Sequence, residues 1–288
     1  MVIQHYLALC KLRVVGLMLL CALVGMILAT QHTWHWQLVL CGLVGIGLAC
    51  AAGAALNHVI DRHIDAGMAR TMKRPLPQYQ LSTHQALGFA VLLATLSFGI
   101  LTTYVNTTAA LWTLSALLGY GVIYTAFLKH LTPQNIVIGG LSGALPPLLG
   151  WTCIQPTLSA TPWLLVLIIY VWTPPHFWAL SIAKLDEYRD SQLPMLPVTH
   201  GVTYTKQCII GYTWWLVAST LLAFAIGLFH WPYLIASQVI NIRFLQWVYR
   251  LKKTESKTTA MQTFRYSIVY LMWLFLIMLA DHLWALHA

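Results

Sequence analysis

The chain is divided into nine apolar runs, each near the length a helix needs to cross a bilayer. They fall near residues 14–31, 36–56, 86–105, 109–128, 135–153, 162–182, 209–229, 231–249 and 267–286. About 20 residues in a helix span the hydrocarbon layer. In lipid every backbone amide has to be satisfied within its own segment, so runs of this kind must be helices. Charged residues make up 8% of the 288, against about 25% in soluble domains. The expected fold is therefore all-α: a polytopic membrane protein with nine transmembrane helices, forming one domain over residues 1–288.

The charges set the orientation. The sixteen Lys and Arg residues lie in the N-terminal segment, in the loops 57–85, 129–134, 183–208 and 250–266, or at the helix ends beside them. The alternate loops, near 32–35, 106–108, 154–161 and 230, carry none. The positive-inside rule puts the N-terminus in the cytoplasm and, with an odd number of spans, the C-terminus in the periplasm. Six of the seven acids (Asp61, Asp65, Asp186, Glu187, Asp190 and Glu255) fall on the same cytoplasmic side. The net charge of +9 follows from this topology and favours anionic lipid. No basic stripe on a soluble fold is available for nucleic acid. The six cysteines form no Cys-x-x-Cys pair and read as small buried hydrophobes. The N-terminus lacks a long Arg/Ser-rich presequence or a clear cleavage site, which points to a retained first helix and a bacterial inner-membrane protein.

Asn57, Asp61 and Asp65 stand at i, i+4 and i+8 where the second apolar run ends. Each four-residue step turns about 40° on a helix, so the three share a face. Carboxylates at a membrane boundary are costly and need partners. Two readings are open. The motif is a helix cap or a surface ion pair, with Asp61 on Arg62 or Asp65 on Arg70. Alternatively it holds Mg²⁺, which is typically bound through one or two carboxylates plus substrate phosphates. The cluster Arg70, Lys73 and Arg74 would then take the diphosphate. A second acidic motif, Asp186-Glu187-Tyr188-Arg189-Asp190, opens the loop four helices later, flanked by Lys184. The correspondence suggests a duplicated four-helix unit and favours a magnesium–diphosphate site.

Two Pro-Pro pairs fall inside spans, at Pro146-Pro147 and Pro174-Pro175. The first follows Gly139-Gly140-Leu141-Ser142-Gly143, which favours close helix packing with a bend. The second is expected to break its helix, as is tolerated beside a cavity. His176 adjoins it, either as a hydrogen-bonded packing residue or as a contact to a bound porphyrin.

The segment from Asn57 through Arg70-Thr71-Met72-Lys73-Arg74-Pro75-Leu76-Pro77 resembles the first aspartate-rich motif of the UbiA superfamily of intramembrane prenyltransferases. Further agreement comes from Tyr124-Thr125 with Leu128-Lys129, Thr132-Pro133-Gln134-Asn135, Gly143-Ala144-Leu145-Pro146-Pro147, Trp172-Thr173-Pro174-Pro175-His176-Phe177-Trp178, and Asp186-Glu187-Tyr188 with Pro194-Met195-Leu196-Pro197. These segments are closest to the branch that farnesylates haem. The resemblance implies helices around a central cavity open to the cytoplasmic face. It implies transfer of farnesyl from farnesyl diphosphate to a vinyl group of haem B. Asp61, Asp65, Asp186 and Asp190 would be the metal ligands, Asn57 an orienting group, and Arg70, Lys73, Arg74 and Lys184 the diphosphate contacts. The implied partners are farnesyl diphosphate, haem B and membrane lipid, with haem A synthase or terminal-oxidase assembly downstream. That branch commonly has Asp-Asp-Tyr in the second motif. Here Glu187 stands second, which leaves the ligands of that loop open among Asp186, Glu187 and Asp190. A quinone-precursor transferase and an ion-coupled transporter are the competing functions.

Overall fold

A computed structural model describes residues 2–30, 35–68 and 71–285. The helices run α1 (Val2–Leu9), α2 (Leu12–Ala29), α3 (Trp36–Ile60), α4 (Arg62–Gly67), α5 (Thr83–Tyr104) and α6 (Thr107–Leu118). A π-helix (Gly119–Leu128) continues α6, followed by α7 (Lys129–Leu131), α8 (Asn135–Ala144), α9 (Pro146–Ile154) and α10 (Ala160–Ala183). Then come α11 (Leu185–Asp190), α12 (Leu196–Thr199), α13 (Val202–Ala225), α14 (Trp231–Lys253) and α15 (Lys257–Ala285). Among the described residues there is no strand, and eight segments are long and apolar enough to cross a membrane. The ninth expected span, near 231–249, is helical as α14. It falls outside those eight because Gln238, Asn241, Arg243 and Gln246 dilute its apolar character. Two of the long helices start earlier than the apolar runs do. Helix α13 begins at Val202 and α15 at Lys257, so polar turns precede the buried stretch.

The chain forms two compact units. The first comprises residues 1–131 and 145–158, the second residues 132–144 and 159–288. Each carries one of the acidic motifs.

In the first unit, α2 packs on α9 with backbone against backbone. A Cβ on Gly25 would lie 2.0 Å from the Pro147 carbonyl oxygen, and one on Gly150 would lie 1.9 Å from that of Ala22. Small residues permit this approach, and dispersion at short range holds it. Helix α3 packs on α5, and the segment between them is pinned to the same surface. Leu76 and Leu81 are buried with Leu9 of α1, Ala55 and Val59 of α3, and Ala86 and Ala90 of α5. The start of α5 is fixed by a capping box: Ser82 Oγ accepts from the Gln85 amide at 3.2 Å, and Gln85 Oε1 from the Ser82 amide at 2.9 Å. Asn106 caps α6 through the Ala109 amide at 2.8 Å and donates to the Thr152 carbonyl of α9 at 2.9 Å.

In the second unit, α10 packs on α8, α13 and α15. Pro174 and Pro175 do not break it: α10 is one helix from Ala160 to Ala183. Neighbouring helices hold a proline-containing span in shape where propensity alone would let it go. At Pro146-Pro147, where a bend is expected, the helix is interrupted: α8 ends at Ala144 and the two prolines start α9. The seventh acid, Asp281 of α15, is buried. It caps α14 by accepting from the His230 amide at 2.9 Å and the Tyr233 amide at 3.0 Å. At the other end of α14, buried Lys206 donates to the Thr254 carbonyl at 2.7 Å.

Gly25→Ala or Gly150→Ala forces a methyl into backbone and not into a side chain that can turn aside. Each is expected to destabilise the protein by about 1–3 kcal/mol or to prevent folding. Thermal denaturation in detergent checks this, with Gly88→Ala, where a Cβ meets nothing within 4 Å, as the control.

Candidate functional site

In the first unit α3 ends at Ile60, and Asp61 takes ψ near 0° before α4 begins. The helical register survives this joint. The Asp61 amide bonds the Asn57 carbonyl at 3.0 Å, and the Asp65 amide bonds that of Asp61 at 2.8 Å. Asn57, Asp61 and Asp65 therefore do share a face. All three are buried, while His63, Ala66 and Gly67 between and after them are exposed.

Each carboxylate has a cation, though not a neighbour in sequence. Arg74 Nη1 meets Asp65 Oδ2 at 2.6 Å, and Lys129 Nζ meets Asp61 Oδ2 at 2.8 Å. Arg62 instead donates to the Val59 carbonyl at 3.0 Å. Lys73 is exposed, and Arg70 lies outside the described residues. The turn that brings Arg74 back is held by Thr71, whose hydroxyl donates to the Asp65 carbonyl at 3.0 Å, and by the buried side chains Met68 and Leu76.

Two further lysines complete the cluster, neither given a role by the sequence pattern. Lys129 follows the π-helix, whose Thr125 hydroxyl donates to the Tyr120 carbonyl five residues back at 2.8 Å. The π-helix lies close against α3: a Cβ on Gly121 would come within 3.6 Å of Gly53 Cα. Tyr124-Thr125 with Leu128-Lys129 was the available signal, but the wider helical turn that aims it is not legible from residue types. Lys11 joins α1 to α2, and its ammonium donates to Asn57 Oδ1 at 2.6 Å. Burial, and then the Arg74 guanidinium, lower its pKa to about 8 against the opposing pull of Asp61 and Asp65.

Asn57 Nδ2 donates to Asp61 Oδ2 at 2.7 Å, the same oxygen that Lys129 holds. Asp61 Oδ1 is buried and has no hydrogen-bond partner among the described residues. A buried bare carboxylate oxygen is costly unless something supplies positive charge. Hard oxygen donors of this kind suit Mg²⁺, which needs few protein ligands when phosphates complete its shell. Among the described residues no three His, Cys, Asp or Glu side chains converge as an all-protein metal cage.

In the second unit the acidic motif sits on α11. Asp186 is exposed and paired with Lys257, whose hydrogen bond and charge hold its carboxyl below the usual range. Lys184 pairs with Glu187 at 2.6 Å, leaving Glu187 Oε2 buried and without a partner. Asp190 is exposed.

His176 is buried in α10, stacked between Trp172 at 4.3 Å and Phe264 at 4.6 Å between ring centres. Its Nδ1 lies 2.7 Å from Ser267 Oγ. That hydroxyl donates its single proton to the Phe264 carbonyl at 2.6 Å, so Nδ1 must be the donor to Ser267. Nε2 then carries the lone pair.

Comparison with known proteins agrees with this fold. The UbiA prenyltransferase family matches residues 18–279. A protein named protoheme IX farnesyltransferase from Hahella chejuensis is 50% identical over 279 residues, 97% of this chain and 93% of its own length. A solved structure of digeranylgeranylglyceryl phosphate synthase superposes with a TM-score of 0.79, at 18% identity and 98% coverage of both chains. A UbiA homolog from Archaeoglobus fulgidus bound to GPP and Mg²⁺ superposes at 0.67, with 16% identity, over 95% of this chain and 99% of that one. With apolar helices of spanning length throughout, this is an integral membrane protein, and the chain belongs to the UbiA prenyltransferase family.

Proposed function

We propose that this protein transfers the farnesyl group of farnesyl diphosphate to a vinyl group of haem B, giving haem O and diphosphate. The observation that carries the reading is the identity, over nearly the whole chain, to a relative named for protoheme farnesylation. The buried carboxylates and cations of the first unit supply chemistry that fits it.

The carbon–oxygen bond at farnesyl C1 breaks as the vinyl π electrons form a bond to that carbon. The cation left beside the porphyrin takes up water and releases a proton, which leaves a hydroxyl. Mg²⁺, when bound, offsets the charge that grows on the departing diphosphate. Asp61 and Asp65 are its proposed ligands in the first unit, and Asp186 and Asp190 those of the second motif. Arg70, Lys73, Arg74 and Lys184 take phosphate oxygens through charge-assisted hydrogen bonds. These contacts strengthen as the leaving group separates, so they favour the transition state. Asn57 orients the first-motif carboxylate. Apolar helix walls hold the farnesyl chain and keep water from the allylic cation. His176 presents Nε2 to the haem, with Ser267 fixing the tautomer.

The proposed setting is the bacterial inner membrane, with the N-terminus cytoplasmic, the C-terminus periplasmic and the two units acting as one transferase domain. Farnesyl diphosphate, haem B and lipid are the proposed partners, and haem A synthase or terminal-oxidase assembly receives the product.

Asp61→Asn and Asp65→Asn should each lower turnover at least about 100-fold while the protein still inserts, since both charge and a ligand are lost. EDTA should silence the unaltered protein, and mass spectrometry of extracted haem reads the product. Full activity in EDTA would rule out the magnesium mechanism. For His176, purified protein with added haem should show a Soret band that shifts in His176→Ala, with turnover falling alongside because a loosely held vinyl group is poorly placed. An unshifted band with normal turnover and thermal stability would remove His176 from the site.

A further inference from the structure

We infer that Lys11 is a positioning residue for the diphosphate site, fixing the Asn57 carboxamide so that one oxygen of Asp61 stays bare for a divalent cation. The inference rests on the transferase reading above.

An ammonium can only donate, so the Asn57 atom 2.6 Å from Lys11 Nζ has to be the carbonyl oxygen. The amide is thereby turned one way. Its Nδ2 faces Asp61 Oδ2 at 2.7 Å, with Thr125 Oγ1 at 3.5 Å. Lys129 takes the same Asp61 oxygen at 2.8 Å. Among the described residues two donors therefore converge on Oδ2 and none on buried Oδ1. Without Lys11 the Asn57 carbonyl oxygen loses its donor, and the Asp61 contact alone is left to hold the amide against turning.

The backbone supplies an independent observation. Lys11 has φ 49° and ψ 48°, the left-handed region, where a non-glycine residue is strained by about 1–2 kcal/mol. It is held there by the turn between α1 and α2, with the Val14 amide bonding its carbonyl at 2.8 Å. Glycine would fit this turn without strain. The lysine side chain, rather than the turn, therefore accounts for the residue at this position.

The test uses the full-length protein in detergent with Mn²⁺ in place of Mg²⁺ and a non-reactive farnesyl thiodiphosphate. Bound metal is read by the loss of the free-Mn²⁺ electron paramagnetic resonance signal, so no turnover is needed. Lys11→Gly should still fold, the lost contact being offset in part by the relieved backbone strain, yet weaken Mn²⁺ binding about tenfold, the scale of a lost outer-shell contact. Lys11→Arg should restore most of the affinity. Lys11→Gly combined with Asn57→Ala should bind no more weakly than Asn57→Ala alone. If Lys11→Gly melts lower, Lys11→Met replaces it in the same comparison. Additive losses in the double variant would overturn the inference, because Lys11 would then act without Asn57. So would unchanged affinity in Lys11→Gly while the unaltered protein binds Mn²⁺. No binding by the unaltered protein would overturn the metal reading itself, and this inference with it.

Discussion

Two carboxylates below the surface of an apolar chain dictate how the first unit folds. Asp61 and Asp65 are nearly inaccessible, and a buried charge without compensation is among the costliest arrangements a protein can hold. Compensation comes from three separate places in the chain. Arg74 returns on the turn after α4, Lys129 arrives beyond the π-helix, and Lys11 reaches in by way of Asn57. Each tie fixes a connection that hydrophobicity leaves free. The segment between α3 and α5 would otherwise be a polar loop. It is instead folded tightly on α1 and α5, with Leu76 and Leu81 as its apolar anchors.

Much of this was legible in the sequence, and what was not has physical causes. Apolar runs mark helices well because lipid leaves the backbone no other choice. They mark helix ends poorly, because a helix continues past the bilayer wherever capping and packing allow. Thus α13 and α15 begin in polar sequence, and the ordered turn before α5 hides in a stretch with no periodicity. The spacing of Asn57, Asp61 and Asp65 gave their common face directly. Their partners were not readable in the same way. Proximity in sequence favoured Arg62 and Arg70, whereas Arg74 and Lys129 hold the carboxylates, at separations of nine and 68 residues. A π-helix widens one stretch of backbone by a residue per turn, and no residue type encodes it strongly. The two Pro-Pro pairs make the same point. The same dipeptide starts a helix at α9 and is carried within one at α10, though both helices are buried.

The second unit handles polarity differently. Its buried polar groups are largely satisfied by neighbouring helices. Asn241 donates to Thr220 Oγ1 at 2.9 Å and accepts from Tyr270 OH at 2.6 Å, and Asp281 spends both oxygens on the start of α14. Networks of this kind specify which helices pack together and leave nothing over for a ligand. Against that background four buried atoms of the second unit lack a partner among the described residues: Asn135 Oδ1, Trp178 Nε1, His282 Nε2, and Glu187 Oε2 on α11. Exposure separates Asp186 from Glu187 in a way that spacing could not. The aspartate reaches outward to Lys257, and the glutamate keeps one buried oxygen bare.

Charge balance links the first unit to its proposed ligand. Lys11, Lys129 and Arg74 face Asp61 and Asp65, three cations against two carboxylates, so the cluster carries one positive charge in excess. A farnesyl diphosphate carries about three negative charges when fully ionised, and with one Mg²⁺ it brings one negative charge net. The cluster and that pair therefore sum to neutrality, the cheapest state for charge held away from water. A second divalent cation at the same carboxylates would leave the cluster strongly positive unless further anionic groups joined it. The excess also gives the empty cluster a standing preference for anions over free divalent cations. On this balance a metal would enter most favourably together with the diphosphate, and Asp61 Oδ1 is the oxygen proposed to receive it.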